Sequence, residues 1–142
     1  MAAEVKYPIG DQSFGEIIRN GCVYVDKTAY IHKMVTEGKY YFLSRPRRFG
    51  KSLLVSTLEE YFRGNRELFR GLAIDRLEPE EWNSHPVLHL DLNGKDYTNP
   101  SALYEQLEMH LDNWEAAYGR NGNVPSVDNR FREVIKSAYV KT

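Results

Sequence analysis

Strand-like and helix-like segments alternate along this sequence, which predicts an α/β layered fold with mainly parallel strand pairing. Three observations carry that expectation. Apolar runs rich in β-formers occur at Val23–Val25, Tyr40–Leu43 and Val87–Leu92. Segments with apolar residues at helical spacing lie between and after them. A Gly-Lys-Ser tripeptide follows the second run and opens a helix.

Taken in order, Ser13 to Asn20 carries Phe14, Ile17 and Ile18 at helical spacing and stops at Asn20-Gly21, a pair suited to a helix end. After the short run Val23-Tyr24-Val25, Asp26 is placed to cap a helix whose face is Tyr30, Ile31, Met34 and Val35 and whose end is Gly38. Tyr40-Tyr41-Phe42-Leu43 reads as a strand covered on both faces, so its tyrosines are expected in the core. The loop Ser44 to Gly50 leads into a helix from Lys51 to about Arg63, with Leu54, Leu58, Tyr61 and Phe62 on one face. Gly64 to Pro86 is polar and turn-rich, with an apolar patch at Leu68, Phe69, Leu72 and Ile74 and one or two brief helical turns. Val87–Leu92 is a further strand candidate. Asn99-Pro100 then supplies an N-cap and first-turn proline for a helix to about Tyr118, burying Leu103, Leu107, Leu111 and Trp114. A loop, Gly119 to Pro125, precedes the last helix, Asp128 to about Val140, whose face is Phe131, Val134, Ile135 and Ala138.

The length of 142 residues is that of one domain, and no repeat or low-complexity tract is visible. Nineteen Lys and Arg against twenty Asp and Glu leave a net charge of −1, which disfavours a globally basic nucleic-acid or membrane binder. No run of about 18 apolar residues could span a bilayer, and MAAEVKYPIGDQ lacks the pattern of a secretory signal, so a cytoplasmic location is expected. Cys22 is the only cysteine, and His32, His85, His89 and His110 show no metal-ligand spacing.

Chemistry concentrates in Arg45-Pro46-Arg47-Arg48-Phe49-Gly50-Lys51-Ser52. Unpaired amides of the loop and first helical turn, together with the helix dipole, attract an anion. Lys51 would place its ammonium on the β and γ phosphates of a nucleotide, and the Ser52 hydroxyl would be a ligand to Mg²⁺. A side chain at Gly50 would hold the backbone away from the phosphate. The full P-loop pattern asks for glycine where Arg45 stands. The bland reading is that Gly50 ends a turn, Lys51 is solvated and Ser52 caps the helix. Arg45, Arg47, Arg48 and Lys51 put four positive charges into seven residues, enough to neutralise a triphosphate or to touch nucleic-acid phosphates.

The strings Tyr7-Pro-Ile-Gly10, Val23-Tyr-Val-Asp-Lys-Thr-Ala-Tyr30 and Gly38-Lys-Tyr-Tyr-Phe-Leu-Ser-Arg-Pro-Arg-Arg-Phe-Gly-Lys-Ser52, with Leu53 to Phe62 behind them, resemble the predicted AAA-ATPase-like family of bacteria. The similarity is closest from Tyr7 to about Ile74, and the missing first glycine is a trait of that family. The resemblance implies a STAND-related P-loop NTPase-like three-layer fold. This chain would be its N-terminal part, with an incomplete, mainly parallel sheet. It implies ATP and Mg²⁺ as cofactors, bound by Arg47, Arg48, Phe49, Gly50, Lys51, Ser52 and Leu53. A segment comparable to Val25–Thr28 packs beside the adenine in related ATPases, which makes Tyr24, Asp26 and Lys27 candidates for the base or ribose end, with an ordinary helix cap at Asp26 as the alternative. Family members are often followed by a restriction-endonuclease-like nuclease domain.

Hydrolysis needs an acidic residue on Mg²⁺ and commonly a neighbouring Glu. No Asp-Glu dipeptide occurs, and Asp26, Asp75 and Asp91 are the nearest substitutes. The resemblance places the acidic strand after a helix like Phe131 to Val140, so a domain truncated before that strand is expected, with no catalytic residue assigned. Two other functions stay open: a nucleic-acid module on Arg45–Lys51, and an interaction surface whose unpaired strand edges favour self-association.

Overall fold

Ser13 opens the first helix in the computed structural model, which describes residues 5–120, 122 and 125–141. Its hydroxyl accepts the Glu16 amide at 3.5 Å, starting α1, Phe14–Arg19, and Asn20 closes it. Next come α2, Thr28–Glu37, and α3, Lys51–Phe62. A 3-10 turn, Arg66–Phe69, leads to the short α4, Ala73–Leu77. Beyond these lie α5, Pro100–Tyr118, and α6, Val127–Val140. The chain divides into two compact units, one ending at His85 and the other beginning at Pro86.

In the first unit, Phe14, Ile31, Leu68, Phe69 and Ile74 are buried, with Leu54, Leu58, Tyr61 and Trp82 packed against them. Phe69 is the hub. Its ring lies 4.6 Å from that of Phe14, 4.9 Å from Trp82 and 6.5 Å from Tyr61. The connection behind it is held by Arg66, which donates to Asp75 Oδ1 at 3.1 and 3.2 Å, to the Pro79 carbonyl at 3.0 Å and to the Glu80 carbonyl at 2.6 Å. One planar guanidinium thereby satisfies acceptors from three residues, a geometry that lysine cannot copy.

Tyr61 donates to Glu78, whose two carboxylate oxygens lie at 2.9 and 3.1 Å. Burial, then the hydrogen bond and charge of Glu78, push the phenol up to about 12 from its ordinary 10. The folded state therefore holds a proton that the unfolded chain releases near pH 10. This contribution to stability is intact below pH 10 and is lost as pH rises towards about 12. Tyrosinate absorbance should show Tyr61 among the late-titrating phenols, and Tyr61→Phe should remove its share of that signal and of the alkaline loss of stability.

In the second unit, Asn99 accepts the Ser101 amide at 3.1 Å and Pro100 occupies the first turn of α5. Leu111, Trp114 and Val134 form the buried seam between α5 and α6, with Leu88, Tyr118 and Val127 against it. Beside the seam, Arg130 bonds Glu115 at 2.8 Å through two nitrogens and Asp112 at 2.6 Å. The side chains of Arg130 and Glu115 are only 11% and 9% exposed. Hydrogen bonding from Arg130 holds Glu115 below the usual carboxylate range against the opposing effect of burial. Arg130→Met leaves that largely buried carboxylate with only Arg120, at 3.7 Å, as a cationic partner among the described residues and should cost about 2 kcal/mol. A urea denaturation curve measures it.

The helices follow the sequence expectations closely, but the expected α/β fold does not. Among the described residues there is no strand and no sheet, only one isolated parallel bridge between Lys6 and Cys22. The P-loop NTPase-like three-layer fold with an incomplete, mainly parallel sheet is corrected to a helical structure. The physical reason lies in where hydrogen bonds close. A helix satisfies its amides within one segment, whereas a strand needs a neighbour to accept and donate. Val23–Val25, Tyr40–Leu43 and Val87–Leu92 have strand composition but no ladder partner here. Tyr40 and Phe42 are each 94% exposed, and Tyr41 and Leu43 turn further inward, as in an extended chain with one open face. The expected burial of Tyr40 and Tyr41 is corrected with it. Leu103, Phe131 and Ile135 also lie exposed, because the α5–α6 seam runs along Leu111, Trp114, Val134 and Ala138 instead. The loop expected over Gly119–Pro125 falls partly outside the described residues.

Candidate functional site

The Gly-Lys-Ser tripeptide stands at the N-terminus of α3, as its position after the loop predicts. Gly50 caps the helix in the left-handed conformation, with φ +74°. A Cβ added there meets no atom within 4 Å, so its glycine is required by backbone conformation and not by space. Arg48 is also left-handed at φ 66°, an uncommon state for a residue with a side chain. These two reversals turn the chain so that the amides of Lys51, Ser52 and Leu53 have no acceptor among the described residues. The first helical bond runs from the Leu54 amide to the Gly50 carbonyl at 3.0 Å.

Lys51 donates to the Arg45 carbonyl at 2.8 Å, and Arg45 reaches the Phe49 carbonyl at 3.5 Å. The loop thus closes through side chains of both its ends. Arg47 and Arg48 are exposed and engage no acidic group among the described residues. Their charge adds to the helix dipole at one place. The Ser52 hydroxyl is exposed and open, while Leu53 is half-buried against the unit's core.

A cavity of about 870 Å³ adjoins the loop. Arg45, Phe49 and Gly50 form its loop side, Leu53, Leu54 and Thr57 of α3 its floor, and Tyr24, Val25 and Lys27 a facing wall. Tyr30, Ile31 and Met34 of α2 and the side chains of Tyr41, Phe42 and Leu43 complete it. Burial pushes the Tyr24 phenol up, and a hydrogen bond with Thr57 partly offsets this. The structure therefore brings Tyr24 and Lys27 into one cavity with the loop. Asp26 is not among the residues lining it. Its Oδ1 accepts the amide of Thr28 at 2.8 Å and the Thr28 hydroxyl at 2.7 Å, and its Oδ2 accepts the Ala73 amide at 2.7 Å. Burial opposes its charge, but these bonds prevail and hold it below the usual carboxylate range.

Thr57 and Tyr30 are among the lining residues that sequence reasoning assigned to no site. A threonine four residues after Leu53, among the leucines of α3, is the signal that could have found the first. Of the acidic candidates, Asp75 accepts from Arg66 and from the Gly71 amide at 3.1 Å. Asp91 accepts from the Asn93 amide at 2.9 Å, the bond of a turn-satisfying aspartate.

A loop with open amides, a capping glycine and a lysine beside them defines an anion-accepting helix start. The chain belongs to the AAA-ATPase-like family: the family model described as "Predicted AAA-ATPase" matches residues 8–142. A relative from Azotobacter chroococcum mcd 1, described as "Uncharacterized protein in vnfD 5'region", is 41% identical over 138 residues, covering 94% of this chain and 26% of that protein. The chain thus spans about a quarter of the length of this curated relative. No solved structure matches it. No helix among the described residues is long and apolar enough to cross a membrane.

Proposed function

We propose that this chain binds ATP together with Mg²⁺ at the loop Arg45–Leu53. The observation that carries the reading is the set of open amides at Lys51, Ser52 and Leu53, presented by a left-handed Gly50 beside the cavity of about 870 Å³. The triphosphate would lie on those amides, with Lys51 exchanging its Arg45 carbonyl for phosphate oxygens and Arg47 or Arg48 balancing the remaining charge. The open hydroxyl of Ser52 fits a role as one Mg²⁺ ligand; the ion's part would be to neutralise phosphate charge. Tyr24, Lys27 and Phe49, which line the cavity, would face the remainder of the nucleotide. The reading is one of binding, and no residue is assigned to hydrolysis.

Isothermal titration with ATP, in the presence and absence of Mg²⁺, tests it. Binding that needs Lys51 and strengthens with Mg²⁺ is the expected result, and equal heats from wild type and Lys51→Ala would overturn it. A second reading, phosphate contacts of a nucleic acid by Arg47 and Arg48, is favoured by their exposed, unpaired state. It predicts salt-sensitive binding of oligonucleotides that ATP does not displace.

A further inference from the structure

The wall Tyr24–Lys27 is tied at one end by bonds that the nucleotide reading does not use. At one end, the carboxylate of Asp26 and the hydroxyl of Thr28 together take the first two amides of α4. Asp26 Oδ2 accepts from Ala73 at 2.7 Å, and Thr28 Oγ1 accepts from Ile74 at 3.1 Å. The same hydroxyl donates back to Asp26 Oδ1 at 2.7 Å, so the pair is internally locked. Thr28 and Ile74 are both fully buried, which keeps water from replacing these bonds. The wall's other end, Tyr24, lines the cavity together with Thr57, whose hydroxyl donates to the Leu53 carbonyl at 2.7 Å. One face of the cavity is thus anchored to the start of α4.

We propose that Asp26 and Thr28 are positioning residues for the nucleotide site. They fix the Tyr24–Lys27 wall by clasping the start of α4, and Asp26 itself does not touch the ligand. This inference rests on the ATP-binding reading. It gives Asp26 a role different from contact with base or ribose, because both of its oxygens already face donors of the protein.

The geometry offers a test far from any ligand. Ala73 is the first residue of α4, where proline is tolerated, and Leu72 before it has φ −78° and ψ 166°, a conformation that proline accepts in its predecessor. Ala73→Pro removes the amide that Asp26 holds and alters nothing in the cavity lining. ATP titration of the full chain with Mg²⁺, alongside amide hydrogen exchange of the ligand-free protein, should be run on wild type, Ala73→Pro, Asp26→Asn, Thr28→Val, Thr28→Ser and Lys51→Ala. Ala73→Pro, Asp26→Asn and Thr28→Val should each lose about fivefold to tenfold in ATP affinity. The Ile74 amide should exchange faster in all three. Thr28→Ser, which keeps the hydroxyl, should restore both readings to near wild type. Lys51→Ala should lose ATP binding with Ile74 exchange unchanged.

Wild-type ATP affinity in Ala73→Pro and Thr28→Val despite faster exchange would overturn the positioning role and leave ATP binding standing. Lost affinity in Asp26→Asn alone, with exchange unchanged, would overturn it too, by making Asp26 a direct ligand. Equal ATP binding by wild type and Lys51→Ala would overturn the nucleotide reading and with it this inference.

Discussion

Lys51→Ala is expected to weaken ATP binding in the presence of Mg²⁺ by about 10-fold to 100-fold, since a charge-assisted hydrogen bond is worth about 1.5–3 kcal/mol. The loss should not be an unfolding effect. Lys51 is exposed, and its one side-chain bond among the described residues is to the Arg45 carbonyl of the same loop. Thermal or urea stability should therefore stay within about 0.5 kcal/mol of wild type. Lys51→Arg would keep the charge but not the compact ammonium that fits beside the capping glycine, and should restore only part of the affinity. Titration calorimetry on the three proteins, with circular dichroism to check folding, separates these outcomes. An Ala variant that binds as tightly as wild type would show that the open amides attract something other than a triphosphate.

Phe69→Ala is expected to cost about 3–5 kcal/mol, the typical penalty for removing a fully buried ring. Phe69 has no exposed surface and touches the rings of Phe14, Tyr61 and Trp82, which belong to three separate stretches of chain. Taking it out removes the common contact of all three. A small domain is stable by only about 5–15 kcal/mol, so the urea midpoint of this unit should fall sharply. Because the cavity is lined by residues of the same unit, ATP binding should be lost with it. Phe69→Leu, which keeps much of the volume, should lose far less, and recovery of binding in that variant would confirm that the effect runs through packing.

What the sequence made legible was whatever closes within a few residues. Ser13 and Asn99 mark helix starts by accepting amides within one turn, and Gly38 ends α2 where the spacing places it. The Gly50-Lys51-Ser52 start of α3 was legible for the same reason. The sheet was not. The composition of Tyr40–Leu43 and Val87–Leu92 states a preference for extended backbone but does not supply a partner for it. Nor could spacing show that Asp26 would turn one oxygen to Ala73, 47 residues away. The cap of α2 expected at Asp26 falls at Lys27, which makes no side-chain cap bond, while Asp26 accepts the Thr28 amide from one residue further out. On α6, Phe131 and Ile135 share a helical period with Val134 and Ala138, and only the placement of α5 decides which of the two stripes is covered.

The aromatic clusters also equip the protein with built-in optical probes. Of its two tryptophans, Trp82 sits between Tyr61 and Phe69 in the unit that contains the cavity, and Trp114 lies between His110 and Phe131 in the other. Replacing Trp114 with Phe leaves a single tryptophan whose neighbours are the rings that hold the first unit together. Fluorescence excited at the red edge, where tryptophan alone absorbs, reads the cavity-bearing unit in that variant, and Trp82→Phe reads the other, so each half of the chain can be titrated, heated or mixed with ligand under its own signal.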